Sequence, residues 1–140
     1  MTSKLFASLA ADTNVLAAAA LGAAAARVFG RVDSPHIVTT EVNIQETARL
    51  LPRLAERYGL EPADAEANLI RLPLHVYAES YYESHLAEAS HYLGKRDPSD
   101  VPLAALALKL QIPVWSNDHD FQELPLIAYP TAKLLKILGL

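Results

Sequence analysis

The sequence predicts an α/β domain with a mainly parallel sheet. Short β-branched and aromatic runs recur along the chain, among them Ile37–Thr39, Leu74–Tyr77 and Ile112–Trp115. Stretches with helix start and stop signals lie between them, so strands and helices alternate. Acidic and polar residues follow the apolar runs directly, at the strand ends where open α/β sheets bind ligands. A chain of 140 residues fits one domain, residues 1–140, and can bury a sizeable core.

Taken in order, Leu5–Ala11 is the expected first strand, although alanine is a poor β-former and the context carries the assignment. It ends at Asp12-Thr13-Asn14, a polar trio suited to capping a helix that begins near Val15 and runs to about Phe29. That helix is so alanine-rich that a neighbour can approach closely, either the sheet or a second subunit. Ile37–Thr39 is the second strand, and Thr40 caps a helix over Glu41–Tyr58. Ile44, Leu51, Leu54 and Tyr58 define its apolar face, with Glu46 on the polar side and Gly59 ending it. At 100° per residue, Arg53 and Arg57 project within about 20° of Glu46, and Arg49 about 60° away. Ala63–Arg71 reads as a short helix, Leu74–Tyr77 as the third strand, and Tyr81–Tyr92 as a polar helix.

The stretch Lys95–Phe121 follows. Asp97 can cap a helix, Pro98 falls where a first-turn proline is tolerated, and Asp100 suits the positive end of the helix dipole. Val101–Leu110 is almost wholly apolar and so buried, and Ile112–Trp115 is a buried parallel strand leading into Ser116-Asn117-Asp118-His119-Asp120. Leu126–Tyr129 is a fifth strand, Pro130 breaks it, and Thr131 caps a closing helix through Leu138.

Composition excludes several functions. Hydrophobic residues make up 51% and charged residues 20%, an ordinary globular balance. A net charge of −4 gives no global pull toward nucleic acid, so any such contact needs a local patch. Cysteine is absent, which excludes disulfides and thiolate metal sites and fits a reducing cytoplasmic setting. The amino terminus imitates a secretory signal, but Asp12-Thr13-Asn14 interrupts its apolar core, so it is expected to belong to the folded domain. No apolar stretch reaches membrane-spanning length, and the glycines form neither a GxGxxG nor a phosphate-binding loop.

Right-handed crossovers place the carboxyl ends of parallel strands on one edge, which gathers Asp12, Asp100 and Asp118. Each acid alone has a structural explanation as a cap, a dipole partner or, for Glu46, half of a pair with arginine. Gathered, they repel: two carboxylates 4 Å apart cost about 4 kcal/mol at an effective dielectric of 20. Such a group must take up protons or bind a cation, and an all-oxygen donor set suits Mg²⁺ or Mn²⁺ rather than zinc.

The chain resembles the PIN domain family of ribonucleases. The matching pieces are ADTNVL at Ala11–Leu16, TTEVNIQE at Thr39–Glu46, DPSDVPLAALAL at Asp97–Leu108 and WSNDHDF at Trp115–Phe121, with IAYPTAKLLKIL closing the chain. The resemblance implies a three-layer α/β/α fold with a five-stranded mainly parallel sheet. It also implies a Mg²⁺- or Mn²⁺-dependent ribonuclease acting on single-stranded RNA, in some cases the toxin of a toxin–antitoxin pair. The family's four acidic positions fall on Asp12, Glu46, Asp100 and Asp118. Asp12, Asp100 and Asp118 would hold the metal, and Glu46 would orient or deprotonate the attacking water. Asn14 matches a polar helper, and Asp97 and Asp120 are extra carboxylates. An antitoxin protein and a homodimer are the implied partners, the dimer drawing also on the alanine-rich first helix and the apolar Leu134–Leu138.

Other features have two readings each. The Arg49/Arg53/Arg57 row is either an RNA-backbone track or a solvated face paired with Glu46 and Glu56. Lys95 and Arg96 adjoin the acids and are candidate phosphate contacts. Tyr77, Tyr81 and Tyr82 are base-stacking candidates or core residues. His75, His85, His91 and His119 lack metal-ligand spacing. Two functions compete with the nuclease: a non-catalytic RNA- or protein-binding module of the same fold, and a receiver-like phosphate-transfer domain. The last expects adjacent acids after strand one, whereas here Asp12 precedes Thr13 and Asn14.

Overall fold

The computed structural model describes residues 7–30, 34–93 and 97–140. Leu5 and Phe6 of the expected first strand, and the candidate phosphate contacts Lys95 and Arg96, lie outside the described residues. Five strands form one parallel sheet: β1 (Ser8–Ala11), β2 (His36–Thr40), β3 (Leu74–Tyr77), β4 (Val114–Trp115) and β5 (Ala128–Tyr129). Their order is β3-β2-β1-β4-β5. The chain moves outward from β1 to β3, then crosses back to place β4 on the other side of β1. The order therefore reverses between β1 and β4, and a crevice opens outside their carboxyl ends.

Helices cover both faces. On one lie α1 (Thr13–Ala20), α2 (Ala26–Phe29), α3 (Glu41–Arg57), α4 (Pro62–Arg71) and α8 (Thr131–Leu138); on the other lie α5 (Glu79–Tyr82), α6 (Leu86–Leu93) and α7 (Val101–Leu110). The strands alternate between these two cores. Leu9, Ala11, Ile37 and Trp115 pack with the first set, and Ala10, Val38 and Val114 with the second. This is the expected three-layer α/β/α fold. β1 is central and covered on both sides, so its alanines are wholly buried and let the flanking helices approach. β3 is an edge strand, which explains its weak β character and partial exposure.

Several boundaries differ from the sequence expectation. The alanine-rich helix ends at Ala20 rather than Phe29. Gly22, at φ +79°, closes it with paired bonds from Gly22 N to Ala19 O (3.1 Å) and Ala23 N to Ala18 O (3.0 Å), and α2 is a separate turn. Tyr81–Tyr92 is not one helix but α5, a 3₁₀ turn at Glu83–His85, and α6. On α3 the buried positions are Asn43, Thr47, Leu51 and Ala55, one every four residues, while Tyr58 is 66% exposed beyond the helix end. Thr131 does not cap α8: its hydroxyl accepts from Trp115 Nε1 at 2.9 Å, and Pro130 holds the cap position without a side-chain bond. Ile112 and Leu126 lie outside the short strands β4 and β5. Among the described residues, no helix is long and apolar enough to cross a membrane.

Candidate active site

Asp12 leaves β1 and caps α1, its Oδ1 accepting from Val15 N at 3.0 Å. Its Oδ2 accepts a hydrogen bond from Ser116 Oγ, at the end of β4. Ser116 Oγ in turn accepts from Asp118 N at 2.9 Å, and Asp118 Oδ1 from Asp120 N at 2.9 Å. One serine hydroxyl thus ties the turn after β1 to the turn after β4 across the crevice. Asn117 Oδ1 accepts from Thr131 N at 2.9 Å and secures the same turn to α8.

Asp97 caps a short 3₁₀ turn over Pro98–Asp100, its Oδ1 accepting from Ser99 N (3.0 Å) and Ser99 Oγ (2.6 Å). The turn runs into α7 and delivers Asp100 to the crevice. Asp100 Oδ2 is buried and makes no hydrogen bond. Glu46 comes from the second turn of α3, half-buried rather than on a wholly solvated face. No hydrogen bond or ion pair holds its carboxylate among the described residues, and Arg49, Arg53 and Arg57 are exposed and pair with neither Glu46 nor Glu56.

All four predicted acids, Asp12, Glu46, Asp100 and Asp118, line one cleft of about 70 Å³ with Thr13, Asn14, Asn43, Asp97 and Ser99. That is room for an ion with part of its water shell. Proximity is costly to the acids. Burial pushes the Asp100 carboxyl up to about 7, with repulsion from Asp97, Asp118, Asp12 and Asp120 adding to it. Asp12 is also raised, chiefly by burial and partly by Asp118, against the opposing hydrogen bonds from Ser116 and Val15.

Among the described residues, Asp100, Asp118 and Asp120 each offer a carboxylate oxygen within 4.8 Å of the others. Asp12 shares their cleft, but the backbone and Ser116 already engage its oxygens. A cation fits this donor set. It would partner the orphaned Asp100 oxygen and relieve the repulsion that protonation otherwise relieves, and hard oxygen donors favour Mg²⁺ or Mn²⁺.

Sequence reasoning missed Ser116 and Asn43, both buried and neutral. Ser116 had a signal, being the first polar residue after an apolar strand at the binding edge. Asn43 had a weaker one, the third helical position after Thr40. Tyr82 is wholly buried, and the Tyr77 and Tyr81 rings stack on each other at 4.5 Å with Lys109 Nζ 4.6 Å over Tyr81. None of these tyrosines, nor His75, His85, His91 or His119, lines the cleft.

A family model described as "PIN domain" matches residues 11–134. Among solved structures, the chain is similar to Mycobacterium tuberculosis VapC20, described as a sarcin-ricin loop cleaving toxin. The two share 25% identity at a TM-score of 0.59, over 85% of this chain and 96% of that one. No curated protein matches the chain.

Proposed function

Because the chain belongs to the PIN domain family, we propose that it is a Mg²⁺- or Mn²⁺-dependent ribonuclease that cleaves single-stranded RNA as the toxin of a toxin–antitoxin pair. The observation that carries this reading is the single cleft lined by Asp12, Glu46, Asp100 and Asp118, with a buried, unpartnered oxygen on Asp100. The likeness to VapC20, described as cleaving the sarcin-ricin loop, supports RNA as substrate and toxicity as role. An antitoxin protein as partner, a homodimer and a cytoplasmic setting complete the proposal. The dimer rests on the family resemblance, since α1 and the Leu134 and Leu138 side chains are covered within the chain itself.

Asp100 and Asp118 would hold the ion, with Asp12 reaching it directly or through water and Asp120 beside them. When bound, such an ion lowers the pKa of a coordinated water and offsets charge developing on the phosphate. The other steps belong to the side chains. Glu46, held by no hydrogen bond among the described residues, has a carboxylate available to orient the attacking water and accept its proton. Asp12, fixed by Val15 N and Ser116 Oγ, cannot swing out of the cleft and keeps its charge directed inward.

Asp12→Asn and Asp100→Asn are each expected to abolish Mn²⁺-dependent cleavage of single-stranded RNA while leaving the circular dichroism spectrum unchanged. Full activity in both variants overturns the assignment. The complete set of acids argues against a degenerate site but not against a disused one; divalent-metal calorimetry followed by an RNA cleavage assay separates the nuclease from a non-catalytic binding module.

A further inference from the structure

Among the described residues no hydrogen bond or ion pair holds the Glu46 carboxylate, so its place in the cleft depends on how α3 is seated. Asn43, one of the four buried residues of α3 with Thr47, Leu51 and Ala55, lies one turn earlier, about 4.5 Å along the axis, and is only 4% exposed. The Asn43 side chain bonds in two directions. Its Oδ1 accepts from Thr40 Oγ1 at 2.5 Å, within the cap of its own helix, while Thr40 Oγ1 accepts from Asn43 N at 3.0 Å. Its Nδ2 donates to Thr13 Oγ1 at 3.1 Å, on the residue directly after Asp12. Thr47 reinforces the junction, its Oγ1 donating to Asn43 O at 2.7 Å and approaching Thr13 O at 3.5 Å.

We propose that Asn43 is a positioning residue, a neutral brace that fixes the Glu46-bearing turn of α3 against the Asp12-bearing turn of α1. The inference rests on the ribonuclease reading. The acids of the cleft repel one another, so bonds among them cannot set their spacing; an uncharged group must. A carboxamide suits the place because it accepts from one hydroxyl and donates to another. A carboxylate there would lose the donor and add a further negative charge to the cleft, and an apolar side chain would strand two buried hydroxyls.

Asn43→Ala, Thr13→Val and the double variant test this against Ala55→Gly. The control residue is buried on the same helix, away from the cleft, and its substitution lowers stability without touching the brace. Steady-state cleavage of single-stranded RNA, Mn²⁺ calorimetry and urea unfolding are measured on all four.

Asn43→Ala is expected to lower kcat on the order of 10- to 100-fold through misplacement of Glu46. KM and the Mn²⁺ Kd should stay within about 3-fold, because the carboxylates that would hold the ion are untouched. Thr13→Val should lower kcat in the same way, and the double variant should be little worse than Asn43→Ala, which already removes the bond that Thr13→Val cuts. Ala55→Gly should lower stability with kcat unchanged. If Asn43→Ala does not fold, Thr13→Val carries the test from the other end of the bond. A kcat loss no larger than that of Ala55→Gly, or multiplicative losses in the double variant, overturns the brace while leaving the nuclease. A wild type that cleaves no RNA under any divalent ion overturns the nuclease reading, and the brace with it.

Discussion

Ser116 shows how much of a cleft of like charges is held by a neutral side chain. Its hydroxyl donates to Asp12 Oδ2 and accepts from Asp118 N, and the residue is 3% exposed. Ser116→Ala removes a hydrogen bond to a carboxylate and strands a backbone N–H, at a cost of about 2 kcal/mol. The lost bond favoured ionised Asp12, whose carboxyl burial already raises above its ordinary value, so the destabilisation should grow as pH rises and shrink as the carboxyl takes up its proton in acid. Mn²⁺ affinity should fall about 10-fold or more, as for other residues that orient ligands, and Ser116→Thr should restore most of it. Unaltered affinity by calorimetry in Ser116→Ala would show that the bridge does not set the acids. At this scale the charged residues were legible because an acid at a strand end or helix start is conspicuous. Ser116 and Asn43 were not, because a serine or asparagine acquires its role only from the partner that the fold brings to it.

The elements were legible where local chemistry and tertiary context agree. Thr40 caps α3 through a bond from Asn43 N, Gly59 at φ +74° ends that helix, and α7 keeps its expected bounds with Leu103–Leu108 buried. They were misread where one residue breaks a strong run, as Gly22 does in the alanine helix, or where a hydroxyl serves a distant group. Thr131 is the second case. Sequence assigns it a cap, yet its hydroxyl satisfies the indole N–H of Trp115, buried beneath α8 and 5.6 Å from the Phe29 ring. Thr131→Val keeps the shape and strands that N–H, so it should cost about 1–3 kcal/mol in urea unfolding and perturb the near-ultraviolet tryptophan signal. Thr40→Ala removes a true cap and should cost about 1 kcal/mol without that spectral change. An undisturbed tryptophan signal in Thr131→Val would show that this hydroxyl does not hold the Trp115 indole.

At the scale of the molecule, the topology reads as a consequence of alternating strands and helices, and the reversal between β1 and β4 fixes where the acids meet. Their assembly costs stability, and the sign of that cost can be followed through pH. The Asp100 carboxyl, ordinarily at 3.8, is raised to about 7 in the fold, first by burial and then by Asp97, Asp118, Asp12 and Asp120. Between those two values the folded state holds a proton that the unfolded chain has released. Stability is therefore fully present below about pH 4 and is lost as pH rises to about 7; Asp12, also raised, pulls the same way. Asp100 is half-buried, so solvent screening reduces the effect below what the shift alone suggests. A divalent cation competes with those protons and should stabilise where the acids are ionised. In EDTA, Tm should fall between pH 5 and pH 8. Mn²⁺ at about 100 times its Kd should add about 2.7 kcal/mol at pH 8, a rise of roughly 5–10 °C, and much less at pH 5. Asp100→Asn, keeping the shape without the charge, should flatten the EDTA profile, raise Tm at pH 8 without metal, and blunt the Mn²⁺ response. A wild-type Tm indifferent to both pH and Mn²⁺ would mean that these carboxylates neither strain the fold nor gather a cation, and the catalytic reading of the cleft would lose its physical basis.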